Sequence, residues 1–545
     1  MNTRTHIRAL LAAALLAASG CGADSAASAE TLGVSACSSD SECGGELTCR
    51  DLRCTVPEAD DRDLSFMFIP PSSSPFLPQR TPYYQLNPGE RLDFALEPSV
   101  AAYGQVGSFN VDGTLVFTPA GSADPLLRQQ AAVTRGDYEV ALVPGTYNID
   151  FVSSTNGVPN RIWRDQPFQS NLQYDLPLPD LSQTVSITGN VNFRDPTVDV
   201  GAGLGPARVT AVSRDTGALS TSVVTDPVSG FYEGLRVWRD TGVYDVVVSS
   251  NSDDALIPTV TFRGAIDTDA IPANASTYEA NLFVGDFAAA ERNVRLELDE
   301  AAEAALEGIS PADLDVNLVA RLDTGSGDVE ASFSLRGSIA SSGDESSTPL
   351  RALPLRYVGE IVPPPGSRYA RTPIEIDLSS ISARVVKIQA PTPLELSSAT
   401  VLAYTGQPAA NARVTFTPRS RRPNTSQAKS VEGSRAFEVT TNDDGELGVW
   451  LEPEVDYDVR VDPMTQDAPR ATYSITGGEL PPTLSLPSPS LLSGSVFAND
   501  ATGASIPDVT VRVLERDDGI ERVIAEGQTD DAGAFRLIAP DDADD

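Results

Sequence analysis

Three stretches far apart in the chain alternate apolar and mostly polar residues in the same way: Tyr147-Asn-Ile149-Asp-Phe151, Tyr244-Asp-Val246-Val-Val248 and Tyr457-Asp-Val459-Arg-Val461. A period of two marks a strand with one buried face, so the repeat commits much of the chain to β-structure. Upstream of the last two copies lies a turn built from Asp or Asn with Gly, in residues 225–231 and 441–447, and a third such turn stands at 529–535. Further upstream, a Pro leads an alternating strand in residues 206–212, 408–416 and 507–513, and two units open with Gly189-Asn-Val191 and Gly494-Ser-Val496. A chain of 545 residues built from such units holds several domains. Its 41% apolar residues and 21% charged residues are those of a folding chain.

Read in order, each unit is Gly-x-Val, a Pro-led strand, Thr-Asp-x-x-Gly-Phe, then Gly-x-Tyr-x-Val-x-Val. This order resembles the carboxypeptidase regulatory-like domain. The match is best at 186–250 and extends to 397–462 and 491–540, while 101–152 shares Gly104-Gln-Val106 and Gly145-Thr-Tyr147. The resemblance implies a prealbumin-like sandwich of seven strands, used as a non-catalytic accessory module in bacterial surface proteins and sometimes grouped with starch-binding-like sandwiches. The expected fold class is all-β: tandem Ig-like or prealbumin-like β-sandwiches behind a small disulfide-rich module and a lipidated N-terminus.

The N-terminus predicts export. Arg4 and Arg8 precede an apolar run over residues 9–18 that is too short to span a bilayer, and small residues follow. Leu16-Ala-Ala-Ser-Gly-Cys21 resembles the lipobox of bacterial lipoproteins, with Ala18 where Leu is commonest; the resemblance implies cleavage before Cys21 and acylation of its thiol. Gly22, where inner-membrane retention would have Asp, favours the outer membrane, with the protein on its periplasmic or cell-surface face. Cys37, Cys43, Cys49 and Cys54 remain as an even set in an oxidising compartment, which predicts two disulfides. Three pairings are open. Zinc is the rival ligand for four thiols, but no CxxC knuckle is present. The stretch looks like the Cys-rich knots that follow the anchor in bacterial surface lipoproteins.

The expected organisation is a signal peptide over 1–20, a flexible tether over 21–36, the Cys-rich module over 37–54 and a linker over 55–95. Sandwiches follow at 96–180, 181–285 and 391–480, with a divergent β unit carrying a helical insertion at 286–390. Residues 481–545 read as an incomplete sandwich, because no Tyr-x-Val-x-Val strand follows its Asp/Gly turn.

With 76 acidic against 39 basic residues, the net charge of −37 repels a phosphate backbone, and nucleic acid is not an expected partner. The single histidine, His6, lies in the leader, so the mature chain has no imidazole for a triad, a general base or a zinc site. No catalytic residue, cofactor or metal is expected. Acidic turns such as 442–445 and 530–533 read as plain turns before they read as Ca²⁺ loops. A serine–lysine dyad would have to use Lys387 or Lys429, the only lysines, and neither lies in a suitable motif. The cluster Arg419-Ser-Arg421-Arg422 reads as a solvated hairpin tip, its rival a contact to an acidic polysaccharide or to a lipopolysaccharide phosphate. Trp238 and Trp450 occupy related places before the Tyr strand. Both read first as core; exposed, either would stack on a sugar ring. The expected function is therefore a non-enzymatic, lipid-anchored surface protein, a stalk or adhesion scaffold, held by the membrane through its lipid. The alternative is a carbohydrate-binding surface protein that uses aromatics borne on the sandwiches; on either reading the partner expected besides the membrane is a surface polysaccharide or a protein.

Overall fold

The structure is a computed structural model that describes residues 48–50, 53–55, 63–83 and 91–540, except 123, 195–200, 203–205, 252–256, 287–291, 323–326, 380–383, 422–434, 465–467 and 518–519. It is all-β, a set of tandem sandwiches. The fourth unit shows the plan, with strands Leu396–Leu402, Arg413–Arg421, Phe437–Thr440, Glu446–Trp450, Val455–Asp462, Ala471–Thr476 and Thr483–Ser485. Numbered in that order, they pair as third-second-fifth-sixth in one sheet and fourth-first-seventh in the other, the seventh parallel to the first. Burial alternates strictly along Val455–Asp462, so Val455, Tyr457, Val459 and Val461 enter the core.

The first unit, from Val100–Gln105 to Leu172–Gln173, has the same order. So has the second, from Thr184–Arg194 to Leu282–Asp286, with a short edge strand Gly201–Ala202 added. Residues 292–388 keep it too, with helix Glu300–Ala304 inserted after the first strand. Asp299 caps that helix, its Oδ1 accepting from the Ala302 N–H at 2.7 Å. Among the described residues no helix is long and apolar enough to cross a membrane.

The C-terminal unit differs from expectation. Strands Pro489–Ala498, Thr510–Asp517, Ile520–Gln528 and Ala534–Pro540 supply its first four positions. Asp63–Ile69, Gln79–Arg80 and Arg91–Leu96, inside the expected linker of 55–95, supply the other three. Asp63–Ile69 pairs antiparallel with Thr510–Asp517, setting Phe66 opposite Val513 and Phe68 opposite Val511, and Arg91–Leu96 lies parallel to Pro489–Ala498. The sandwich over 481–545 is thus completed from the other end of the chain rather than left with an open edge. Burial is the physical reason: Phe66, Phe68 and Phe94 join Phe535 in one core, the Phe94 ring 4.8 Å from both Phe66 and Phe68. Since Leu96 leads directly into Val100 and Ser485 into Pro489, the five units form a closed circuit of connections.

The repeated motifs acquire physical roles in this plan. A Cβ on Gly104, Gly189 or Gly494 would sit 2.3, 2.1 or 1.7 Å from the carbonyl oxygen of Tyr174, Ala280 or Leu92 respectively, so glycine there admits the neighbouring seventh-strand segment. In the Asp/Gly turns, Asp226, Asn442 and Asp530 each accept backbone N–H groups through Oδ1. These side chains act as turn caps. The preceding Thr225, Thr441 and Thr529 hydroxyls accept from the N–H of Ala207, Ala412 and Val509, each at 2.9 Å, tying the turn to the second strand.

The repeated tyrosine is a corner. Tyr147 and Tyr357 donate to the carbonyls of Val143 and Leu353 at 2.8 and 3.1 Å. Burial pushes both phenols up to about 12, and it raises those of Tyr138, Tyr232 and Tyr244 as well. An unfolded tyrosine ionises near pH 10. Above that pH the unfolded chain releases protons that the folded chain keeps, so the contribution is complete below pH 10 and is lost as pH rises towards about 12. Each such tyrosine should cost about 1.4 kcal/mol per pH unit in that window. Urea midpoints against pH, with phenolate absorbance as a second readout, should show these tyrosines ionising only as the protein unfolds. Full phenolate absorbance in a still folded chain at about pH 11.5, where an ordinary tyrosine is almost wholly ionised and these two are mostly protonated, would refute the corner assignment.

Candidate functional site

Successive units meet with the sixth strand of one near the third strand of the next. In the first joint, the Asn160 N–H donates to the Leu219 carbonyl at 3.0 Å and Arg161 forks onto Asp240 at 2.7 and 2.9 Å. At the second joint, Thr259–Asp267 pairs with Val329–Ser338, fusing two sheets into one of eight strands. Between the fourth and fifth units Arg522 reaches Ser474 Oγ at 2.5 Å. The joint between the third and fourth units is open instead, and holds a cleft of about 490 Å³.

The cleft's geometry follows from strand parity and one turn. On Glu446–Trp450, Leu447 and Val449 point into the core, so Trp450 stands on the outer face, where it is half-buried. Across from it, Pro363, Pro364, Pro365 and Gly366 turn between the fifth and sixth strands of the third unit. Gly366, at φ +70°, lets the turn seat on Phe437, since a Cβ there would lie 2.8 Å from that ring. Phe437 in turn stacks on Phe416 at 5.3 Å and meets Tyr457 edge-on. The polar lining comes from both units: Asp313, Asp315, Asn317, Arg336 and Arg371 from the third, Arg435 and Glu452 from the fourth. Arg371, 3% exposed, donates to Glu360 at 2.9 Å. The Ser367 hydroxyl, also in the lining, is buried and has no hydrogen-bond partner among the described residues.

Trp238 is the counterpart of Trp450, at the end of its unit's fourth strand. It is fully buried under the first unit, its indole N–H donating to the Asn160 carbonyl at 3.1 Å. A sugar platform at Trp238 is therefore ruled out: the preceding sandwich occupies the face a sugar would use. No acceptor among the described residues meets the indole N–H of Trp450.

Of the other sequence candidates, Cys21, Cys37, Cys43 and Lys429 lie outside the described residues. Cys49 and Cys54 stand directly opposite each other in the hairpin Thr48–Arg50 and Arg53–Thr55. Lys387 does approach a serine, donating to Ser342 Oγ at 3.0 Å. It also donates to Glu297 at 2.7 Å and to the Leu298 carbonyl at 3.4 Å. Its nitrogen is thus shared among three acceptors, the shortest contact being to Glu297, as in an ion-pair anchor rather than a lysine aimed at one serine. The lysine contact, outweighing burial, holds the Glu297 carboxyl below its ordinary range. Arg419 pairs with Asp458 at 3.5 Å. Sequence reasoning missed a second groove, of about 880 Å³, lined by Arg292, Arg295 and Arg384 with Asn293 and Glu345. Arg292 and Arg295 share the strand Arg292–Leu298, but Arg384 joins them only through the parallel pairing of that strand with Val385–Ile388, which no local pattern announces.

No family model matches the chain, and no curated protein sequence does. Among solved structures, the chain superposes on the Bacillus anthracis TIE protein at 10% identity, covering 74% of this chain and 73% of that one, with a TM-score of 0.15. It superposes on the Streptococcal ancillary pilin at 10% identity, covering 71% and 98%, with a TM-score of 0.15. Two B repeat units of the collagen binding protein of Staphylococcus aureus match at 11% identity, covering 71% and 98%, with a TM-score of 0.11. At such TM-scores these likenesses carry no assignment of fold or function, and the fold stated above stands on strand pairing alone.

Proposed function

We propose that the chain is a non-enzymatic scaffold of the bacterial cell surface, anchored to the outer membrane through acylated Cys21. The observation that carries the reading is the closed circuit. Strand Asp63–Ile69, the part of the described fold nearest the expected anchor after the hairpin, is paired on both sides inside the last sandwich. The stretch of about 40 residues between Cys21 and Asp63, which takes in the expected tether and the Cys-rich module, would therefore attach all five units at one point, and a pull on it would load the middle of a sheet. This favours a compact presenting scaffold over a row of units in a stalk. The opposition of Cys49 and Cys54 supports a disulfide between them, leaving Cys37 with Cys43, because directly paired strand residues lie within disulfide reach.

Cys21→Ser is expected to move the protein from the membrane fraction to the soluble one, since acyl chains on Cys21 would be the anchor. Retention after a salt wash would sink the anchored reading. Digestion of the same variant without reduction should yield a peptide cross-linked between Cys49 and Cys54.

A further inference from the structure

Trp238 and Trp450 hold the same place in their units, each on an outer face turned towards the preceding sandwich. At Trp238 that sandwich closes over the ring and accepts from its N–H. At Trp450 the proline turn of the third unit holds the two sandwiches apart, leaving an aromatic face and an indole donor beside a cleft of about 490 Å³. That volume lies within the roughly 300–1,000 Å³ of small-ligand sites. The lining has an uncommon balance for a chain of net charge −37: Asp313, Asp315 and Glu452 face Arg336 and Arg435, while Arg371 is already paired with Glu360. Hydrogen-bond donors and acceptors are both present in number while net charge is near zero, and the buried hydroxyl of Ser367 still lacks a partner. A flat apolar platform ringed by uncharged-on-balance donors and acceptors suits a ligand whose own ring has an apolar face and an edge of hydroxyls. An anionic ligand would instead meet repulsion from the carboxylates, and the groove of Arg292, Arg295 and Arg384 would suit it better.

We propose that the cleft between the third and fourth sandwiches binds a neutral oligosaccharide, with Trp450 as the stacking platform and the carboxylates and arginines of both walls bonding its hydroxyls. The cleft exists only where two units meet, so neither unit alone would bind. The proposal goes beyond the scaffold reading and does not depend on the anchor.

The test is titration of the full chain with neutral di- and trisaccharides of glucose, galactose, mannose and N-acetylglucosamine, and in parallel with sulfated and uronic oligosaccharides, followed by tryptophan fluorescence and isothermal calorimetry. The chain has three tryptophans, and Trp163 and Trp238 are buried at 8% and 0% exposure, so a ligand-dependent change would report Trp450. At least one of these sugars should give a saturable change. Trp450→Ala, read by isothermal calorimetry, should weaken that binding about tenfold or more, with Trp450→Phe intermediate. Asp315→Asn and Arg336→Met, at exposed positions, should weaken it with the melting temperature unchanged. No saturable response up to about 10 mM of any of these sugars would overturn the proposal. Equal affinity in wild type and Trp450→Ala would do so too, and so would response only to sulfated or uronic oligosaccharides lost on Arg384→Ala. Each of these failures leaves the Cys21→Ser result, and the scaffold reading with it, unaffected.

Discussion

Phe66→Asp is expected to unfold residues 489–540 while the first three sandwiches keep their protection. Phe66 is fully buried, with its ring 4.8 Å from Phe94, and lies in one core with Val511, Val513 and Phe535. Removing a buried phenylalanine side chain costs about 3–5 kcal/mol, and an unpaired carboxylate in its place costs several more. A sandwich whose whole stability is on the order of 5–15 kcal/mol does not survive that sum comfortably. Hydrogen exchange followed by mass spectrometry should show peptides from 489–540 losing protection together with those from 63–96. The coupling is what makes the experiment diagnostic, because Asp93 and Ser495, which share a hydrogen bond, stand 402 positions apart. Phe66→Leu, which keeps most of the apolar volume, should cost far less. If 489–540 keeps full protection in the aspartate variant, the C-terminal unit stands without the N-terminal strands and the circuit is open.

That coupling was not legible locally, though its ingredients were. Leu64-Ser-Phe66-Met-Phe68 alternates at period two like the tyrosine strands, and its register puts Phe66 and Phe68 where Val459 and Val461 sit in the fourth unit. Two things hid it. The strand has no tyrosine corner, and a motif search expects the fifth strand to follow the fourth in sequence, whereas here it precedes the whole array. The third unit was obscured differently. Tyr357 is a true corner, with Leu353 four residues upstream as Val143 is of Tyr147, but Gly359 and Glu360 break the valine alternation after it. Its glycine has its own cause, since a Cβ on Gly359 would meet the Asn317 carbonyl at 2.0 Å. Of the candidate site, the residue was visible and the place was not. Strand parity could put Trp450 on an outer face, but only the way two sandwiches meet decides whether that face is covered, as at Trp238, or opens on a cleft.

Gly189→Val is expected to cost the second sandwich about 3 kcal/mol or more, and the reason shows how much of the repeat is a packing rule. The added Cβ would lie 2.1 Å from the Ala280 oxygen and 2.7 Å from its carbonyl carbon, both backbone atoms with no rotamer to yield. Overpacking a core by a methyl or two typically costs 1–3 kcal/mol, and here relief requires moving a strand. Ala280 sits between Thr277–Glu279 and Leu282–Asp286, the two pieces that pair in parallel with Thr184–Arg194, so the displacement breaks ladder bonds on both sides of the glycine. Tyr232 is drawn in as well, since its buried hydroxyl donates to that same Ala280 oxygen at 2.6 Å. Denaturant unfolding should therefore show a lower midpoint for the second unit, carried partly into the third through the shared eight-stranded sheet. Gly327→Ala provides the contrast: no atom lies within 4 Å of a Cβ there, and the change should stay within about 0.5 kcal/mol. Similar midpoints for the two variants would mean that the seventh strand does not lie against Gly189, and the Gly-x-Val motif would lose its structural explanation.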